Sequence, residues 1–539
     1  ISIVCIAGAV MAFMSDEEHA KNKGLPGGDN APLEKNAHQV DPTDTKLIGS
    51  PSIMENLCVF FTEMQRILQE GDVLRRFWCW LCNWVQFAQF VWVARSLKSA
   101  AKTRRQFFYM LEKQVLGLSI EKDETEVKSY LDVKRHLGTT WPFMWEVSRV
   151  KDDKIDCDGH NCVPFSSYSY LDLLRNEEVQ ESAIAAAKQY SSGNHGPRML
   201  GGNMRILVEL EHKIAEFLGR DASLLCATGF LACMSVACAV ASEGDVIFAD
   251  SRAHASLRSG LKLCGAKIIN FKHNDYGHLA KLCGKHRKKY NSAWLMIESV
   301  YSMDGDIADL PAADVIAKRY NMRIIMDEAH GLGVVGRTGR GLEEHFDMPG
   351  VCTIICGTFS KSIASIGGYI CGPKDLIDFM DFHAPGNVFS APLPAYCAGA
   401  ALKSFELIDR EPWRVRKAQA NSAYLRQALV TGLGEWPADY SESNKYELEG
   451  DVATTVIPVV FPDDLDRVLR VASYMKEHGF MVAAVAFPAC PLRRPRFRVT
   501  STCAYDQPMI DRFVRTLVKA AVVEGPSEST EQLKNLSVF

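Results

Sequence analysis

The stretch Cys356-Gly357-Thr358-Phe359-Ser360-Lys361-Ser362 follows the apolar run Val351 to Ile355. It predicts a lysine on a turn just past a buried strand, flanked by hydroxyl residues. Burying an ammonium is costly unless the group is paired or used chemically. One such use is covalent, condensation of the amine with an aldehyde cofactor to give a Schiff base. Thr358 and Ser360, together with nearby backbone N–H groups, suit that cofactor's phosphate. On its own, the same lysine could simply reach water at the end of a strand.

A second cluster upstream changes the balance. In Ile324-Ile325-Met326-Asp327-Glu328-Ala329-His330-Gly331, Asp327 ends an apolar run and His330 follows closely. Both can face the cleft at a strand's carboxyl end, where open α/β sheets place ligands. A carboxylate there can pair with a protonated ring nitrogen and keep a pyridinium charged, and His330 can hydrogen-bond a phenolate oxygen. An aspartate after a strand is also a common N-cap of the next helix. The lysine downstream makes the chemical reading the stronger one.

With Thr228-Gly229-Phe230, His254-Ala255-Ser256 and Ser302-Met303-Asp304-Gly305, these clusters form five ordered motifs. From about Phe165 to Tyr505 the chain resembles the fold-type I enzymes that use pyridoxal phosphate, and in particular the α-oxoamine synthase family. The resemblance implies that Lys361 carries the cofactor, that Asp327 and His330 hold its ring and that His254 stacks on it. It implies a phosphate site of Gly229, Phe230, Thr358 and Ser360, joined by Ser390 across a dimer interface. Arg498 would hold the amino acid's carboxylate, since a guanidinium binds one through two bonds. Glu298 and Ser302 fall near the cofactor and are left outside this set. Ser169 and Leu207 depart from the family, standing where relatives carry an asparagine and a histidine, and Ser169 is kept as a substrate-side candidate.

Within the family, Phe271-Lys272-His273-Asn274-Asp275, Gly367-Gly368-Tyr369-Ile370 and Phe487-Pro488-Ala489-Cys490-Pro491 resemble the branch that condenses L-serine with a long-chain acyl-CoA. That implies a decarboxylative condensation to 3-ketodihydrosphingosine, in a homodimer or a heterodimer with a related subunit. Two alternatives stay open. One is another family member, joining glycine or alanine to a different acyl-CoA; the other is a non-catalytic scaffold subunit, against which Lys361 speaks.

The chain must also fold to position these groups. Its 539 residues, 47% hydrophobic and 23% charged, suit a large globular enzyme. A net charge of −4, with no long basic arm, gives no nucleic-acid signature. Seventeen cysteines without repeated spacing read as reduced thiols, and no metal site is expected. Apolar runs at Leu224–Ala227, Val246–Ala249, Lys267–Phe271, Trp294–Ile297, Arg323–Met326, Thr353–Cys356 and Gly368–Cys371 alternate with helical patterns such as Met204–Leu218 and Ala312–Tyr320. The fold class is therefore α/β, a mostly parallel sheet covered by helices, with a smaller C-terminal α+β domain. Helices Pro394–Ile408 and Trp413–Leu433 lead into a strand at Thr454–Phe461. The run Arg493-Arg494-Pro495-Arg496 reads as a solvated face.

The division expected is 1–73 largely disordered, 74–149 a membrane-associated helix and arm, 150–383 the cofactor domain, 384–525 the small domain and 526–539 a tail. Ile1 to Phe13 is too short to span a bilayer, and Ser15 to Pro51 is polar. Phe77 to Ala94, with tryptophans at both ends and flanking Arg75, Arg76, Arg95 and Lys98, predicts an interfacial or spanning helix. The expected location is the endoplasmic reticulum membrane, with the catalytic domain facing the cytosol.

Overall fold

The computed structural model describes residues 144–525, apart from 152, 435, 438–440, 442–444, 487, 488 and 492. The expectations for 1–73, for the helix at Phe77–Ala94, for the rest of the arm to 143 and for the 526–539 tail lie outside the described residues. No helix among the described residues is long and apolar enough to cross a membrane.

The chain enters through an antiparallel meander, β1 (Val147–Lys151), β2 (Lys154–Cys157) and β3 (His160–Pro164). A seven-stranded sheet follows: β4 (Ala222–Cys226), β5 (Val246–Asp250), β6 (Lys267–Phe271), β7 (Ala293–Glu298), β8 (Arg323–Asp327), β9 (Ile354–Thr358) and β10 (Gly368–Gly372). Its order is β4-β10-β9-β8-β7-β5-β6, and only β10 runs against its neighbours. Each of the seven apolar runs read from the sequence lies in one of these strands, displaced by a residue or two at most ends.

Both faces of this sheet are covered, which is why its strands read as unbroken apolar runs. In β7 every residue is buried. Leu295 and Ile297 join the core on one face, with Phe248, Ile324 and Met326. Trp294 and Met296 join the core on the other, with Ile247, Ile325 and Ile354. Each such side chain contributes about 1.5–3 kcal/mol on burial, so the sheet edge carrying Asp327 and Lys361 is anchored from both sides.

The C-terminal part builds a second sheet from β11 (Glu447–Leu448), β12 (Val456–Val460), β14 (Ala484–Val485) and β15 (Arg496–Thr500), all antiparallel in the order β11-β12-β15-β14. Between them, β13 (Phe480–Met481) pairs in parallel with β3. Helices Leu465–Glu477 and Gln507–Val523 share a core with this sheet through Leu469, Phe513, Leu517, Ile457 and Phe497. Phe165, just past β3, stacks on Tyr505 at 4.3 Å and on Phe513 at 3.8 Å. Its carbonyl accepts from Thr500 N at 2.8 Å. The segment leading to Tyr168 and Tyr170 is thus fixed to β15.

The basic run before β15 is not a uniform solvated face. Arg493 is exposed and paired with Asp463, as expected. Arg496 is 1% exposed and ties the two sheets together. Its Nη1 donates to Met303 O at 3.1 Å, Asp304 Oδ1 at 3.2 Å and Glu449 Oε2 at 2.7 Å. Thr454 Oγ1 adds a bond to Gly305 O at 2.9 Å. Met303, Asp304 and Gly305 therefore serve as the docking surface for the C-terminal sheet.

Candidate active site

Adjacent parallel strands β8 and β9 open at the same edge of the sheet. β8 ends on Asp327 and turns through Ala329 to His330, while β9 ends on Thr358 and turns through Ser360 to Lys361. β7 ends on Glu298, in register with Asp327. The exit of β5 leads to His254, which caps helix Ala255–Leu263 by accepting from Ser256 N. That of β4 leads to Thr228, whose side chain accepts from Leu231 N to start helix Gly229–Val240. These exits converge on one cavity of about 310 Å³, lined also by Cys233, Ser256, Ser302, Ile366 and Gly367.

At one end of the cavity Thr358 Oγ1 lies 2.8 Å from Ser360 Oγ and accepts from Ser360 N at 3.1 Å. The start of helix Gly229–Val240 lies against these hydroxyls because residue 229 is glycine: a Cβ there would sit 2.5 Å from Thr358 Cβ. Free N–H groups at a helix start beside two hydroxyls make an anion site. Asp327 lies deeper, 3% exposed. Its Oδ1 accepts from Ala329 N at 2.9 Å and its Oδ2 from Cys233 Sγ at 3.3 Å. Glu298 Oε1 accepts from His254 N, which fixes the backbone under the imidazole. His254 Nδ1 lies 2.7 Å from Ser256 Oγ.

Tyr168 joins the cavity to β15. Lys361 Nζ stands 5.7 Å from its ring centre and the Arg498 guanidinium 4.4 Å from it, so a cation–π contact holds each. Arg498 is 5% exposed, and its Nε and Nη1 are buried without a hydrogen-bond partner among the described residues. A buried guanidinium with unused donors is costly on its own, and it suits an incoming carboxylate.

The electrostatics follow from this crowding. Burial holds the Lys361 ammonium below its ordinary range, against the pull of Asp327. Burial, then the charges of Lys361 and Arg498, hold His330 well below the usual imidazole range. The His254 ring reaches water at the cavity mouth, yet desolvation by the walls, aided by Lys361, still lowers it. Burial and then the nearby Asp327 push the Glu298 carboxyl well above the carboxylate range. The site thus keeps its imidazoles neutral and eases proton loss from its lysine.

An amine, a carboxylate and two imidazoles around one cavity, with an anion cradle at its end, fit pyridoxal phosphate. Lys361, His254, Asp327, His330, Gly229, Phe230, Thr358 and Ser360 all line the cavity. Arg498 does not line it; its guanidinium packs on the ring of Tyr168, against which Lys361 Nζ also stands. Ser169 does not line it; its Oγ is buried without a partner among the described residues, one residue from each of Tyr168 and Tyr170. Ser390 also stays outside it, with Oγ donating to Ala391 O. Beside it Phe389 is 86% exposed. Cys233, Glu298, Ser302, Tyr168 and Tyr170 are the groups that sequence reasoning left out or ranked low. Only Glu298 and Ser302 carried a signal, their place in strand exits or motifs.

The aminotransferase class I and II family model matches residues 160–517. A serine palmitoyltransferase of Bacteroides ovatus is 32% identical over 383 residues, covering 70% of this chain and 93% of the relative. An 8-amino-7-oxononanoate synthase of Maricaulis maris is also 32% identical, over 364 residues, covering 67% of this chain and 88% of the relative. Among solved structures, one of SPT with PLP internal aldimine superposes with a TM-score of 0.70 at 22% identity, covering 75% of this chain and 99% of the other.

Proposed function

Because the chain belongs to the aminotransferase class I and II family, as a serine palmitoyltransferase-like fold-type I enzyme of pyridoxal phosphate, we propose that it condenses L-serine with palmitoyl-CoA to 3-ketodihydrosphingosine. Coenzyme A and carbon dioxide leave in the reaction. The observation that carries an amino-acid substrate is Arg498, buried with unused donors and packed, like Lys361, against the ring of Tyr168. A carboxylate on Arg498 sets an amino acid's α-carbon within reach of the lysine. The names of several relatives support serine and a long acyl group, and the apolar, tryptophan-rich sequence of Phe77–Ala94 agrees with them.

When bound, the cofactor supplies an electron sink for a carbanion at the α-carbon. Lys361 Nζ anchors it and then moves the α-proton, a task suited to an amine whose proton is held loosely. Asp327 keeps the ring nitrogen's proton in place, and Cys233 and Ala329 N fix the carboxylate's orientation. His330 would hold the ring oxygen, and His254 would stack on the ring. Thr358, Ser360 and the N–H groups after Thr228 grip the phosphate, with Gly229 allowing their approach. Ser390 completes that grip from a second subunit, in a dimer with this chain or a related one. Phe77–Ala94 holds the catalytic part at the cytosolic face of the endoplasmic reticulum membrane.

The test is product analysis on the full chain in detergent, with serine, glycine and alanine each against acyl-CoAs of several lengths. Serine with the sixteen-carbon thioester is expected to be fastest. Faster turnover of glycine or alanine overturns the substrate assignment and favours the alternative that the 8-amino-7-oxononanoate synthase relatives suggest. Separation of membranes from cytosol, followed by protease protection, tests the location.

A further inference from the structure

Tyr170 and His330 stand far apart in sequence and meet behind the cavity. The Tyr170 hydroxyl lies 2.9 Å from His330 Nδ1, and both side chains are buried. A neutral imidazole has one donor nitrogen and one acceptor nitrogen. The Tyr170 hydroxyl has no second partner among the described residues. Were Nδ1 protonated, the phenol could only accept, and its own hydrogen would be buried with nothing to bond. With the phenol donating, both groups are satisfied and the imidazole's proton must sit on Nε2. Lys361, Arg498 and His254 all oppose a second proton on this ring. Tyr168 packs on the ring edge-on at 5.7 Å, which fixes its plane.

We propose that Tyr170 is a positioning residue that locks His330 as the Nε2–H tautomer, so that His330 donates a hydrogen bond into the cavity to the cofactor's ring oxygen. Tyr170 needs no contact with cofactor or substrate for this. The backbone supports the placement, since Tyr170 O accepts from Cys503 N at 2.8 Å. The inference rests on the family's cofactor and holds whichever amino acid and thioester are used.

The tautomer can be read directly from the full chain labelled with ¹⁵N-histidine, using His330→Gln to assign the resonances. The expected pattern in the cofactor-free protein is an unprotonated Nδ1 and a protonated Nε2. In Tyr170→Phe, which keeps the ring and its packing, this pattern gives way to a mixture or to the Nδ1–H form. Cofactor affinity, measured by titration of the visible absorbance, is expected to fall about 2- to 10-fold in Tyr170→Phe, the scale of one hydrogen bond. In a His330→Ala background the same substitution is expected to add no further loss. An Nδ1–H pattern in the unsubstituted chain overturns the proposal without reference to any variant. An equal loss of affinity with and without His330 overturns it too. A correct tautomer in a protein that does not use serine would refute the substrate assignment and leave this inference standing.

Discussion

Two buried arginines on β15 sit two residues apart and meet opposite surroundings. Arg496 faces the docking surface between the sheets, where a carbonyl and two carboxylates occupy its guanidinium. Arg498 packs instead on the ring of Tyr168, next to Lys361, and two of its nitrogens have no partner among the described residues. The same division runs through three cations that are partly exposed. Arg220 is matched by Glu343 at 2.6 Å, and His273 bridges Asp250 at 3.0 Å and Asp306 at 2.9 Å. Lys361, like Arg498, makes no ion pair among the described residues; it has the aromatic ring of Tyr168, and Asp327 pulls on its charge from beyond pairing distance. A cation whose charge is met by the protein holds the fold together; one left unmet is kept for a ligand.

The division can be broken most sharply at Lys361. Lys361→Ala is expected to abolish the visible absorbance of lysine-bound cofactor and cut turnover by at least about 10³-fold, the range of a lost proton-transfer group. The melting temperature of the cofactor-free protein is expected to hold, because no partner loses its match. A variant that keeps its turnover ends the account of the site.

Arg498→Ala comes next. The loss of charged hydrogen bonds to a carboxylate predicts a rise of about 10- to 100-fold in KM for the amino acid. Stability is expected to stay level or rise, since an unmatched buried charge is removed. A fall in stability with unchanged KM would move Arg498 into the structural class. Arg496→Met is predicted to do the reverse. It leaves Asp304 and Glu449 short of a partner and costs about 2–3 kcal/mol in chemical denaturation, reduced because both carboxylates keep a second arginine or some water.

His273 sharpens the comparison through pH. Against burial, which lowers it, hydrogen bonds that the ring donates to Asp250 and Asp306 raise the imidazole from its ordinary 6.5 to about 9. Its folded pKa is the higher one, so its pairing stabilises in full below about 6.5, and this contribution is lost as the pH rises through 9. The difference in melting temperature between the unsubstituted chain and His273→Gln is therefore expected to shrink across that window. A difference independent of pH contradicts it. The smallest effect belongs to Arg493→Ala, whose pair with Asp463 is in water; unfolding measurements are expected to find no resolved change in stability.

Much of this was legible in the chain. The strands of the large sheet show as apolar runs because both faces are buried, and the cavity's Asp327, His330 and Lys361 stand at their carboxyl ends. The short strands escaped notice. β1 is exposed along its whole length, and β13 and β14 have two residues each, too few to show a period. The role of Arg496 is hidden because three arginines around a proline look like a surface, while its partners, Glu449 and Asp304, are distant in sequence. Tyr168 and Tyr170 gave no signal for the same reason: only the stacking of Phe165 on the C-terminal core brings them to His330 and Arg498.

The central claim is that one lysine carries the cofactor. Borohydride reduction of the full chain loaded with pyridoxal phosphate, followed by peptide mass mapping, reads this directly. The account predicts a reduced pyridoxyl group on the peptide containing Lys361, in a yield approaching one per chain. A modification placed on another lysine, or none above that of an unrelated protein, would contradict it.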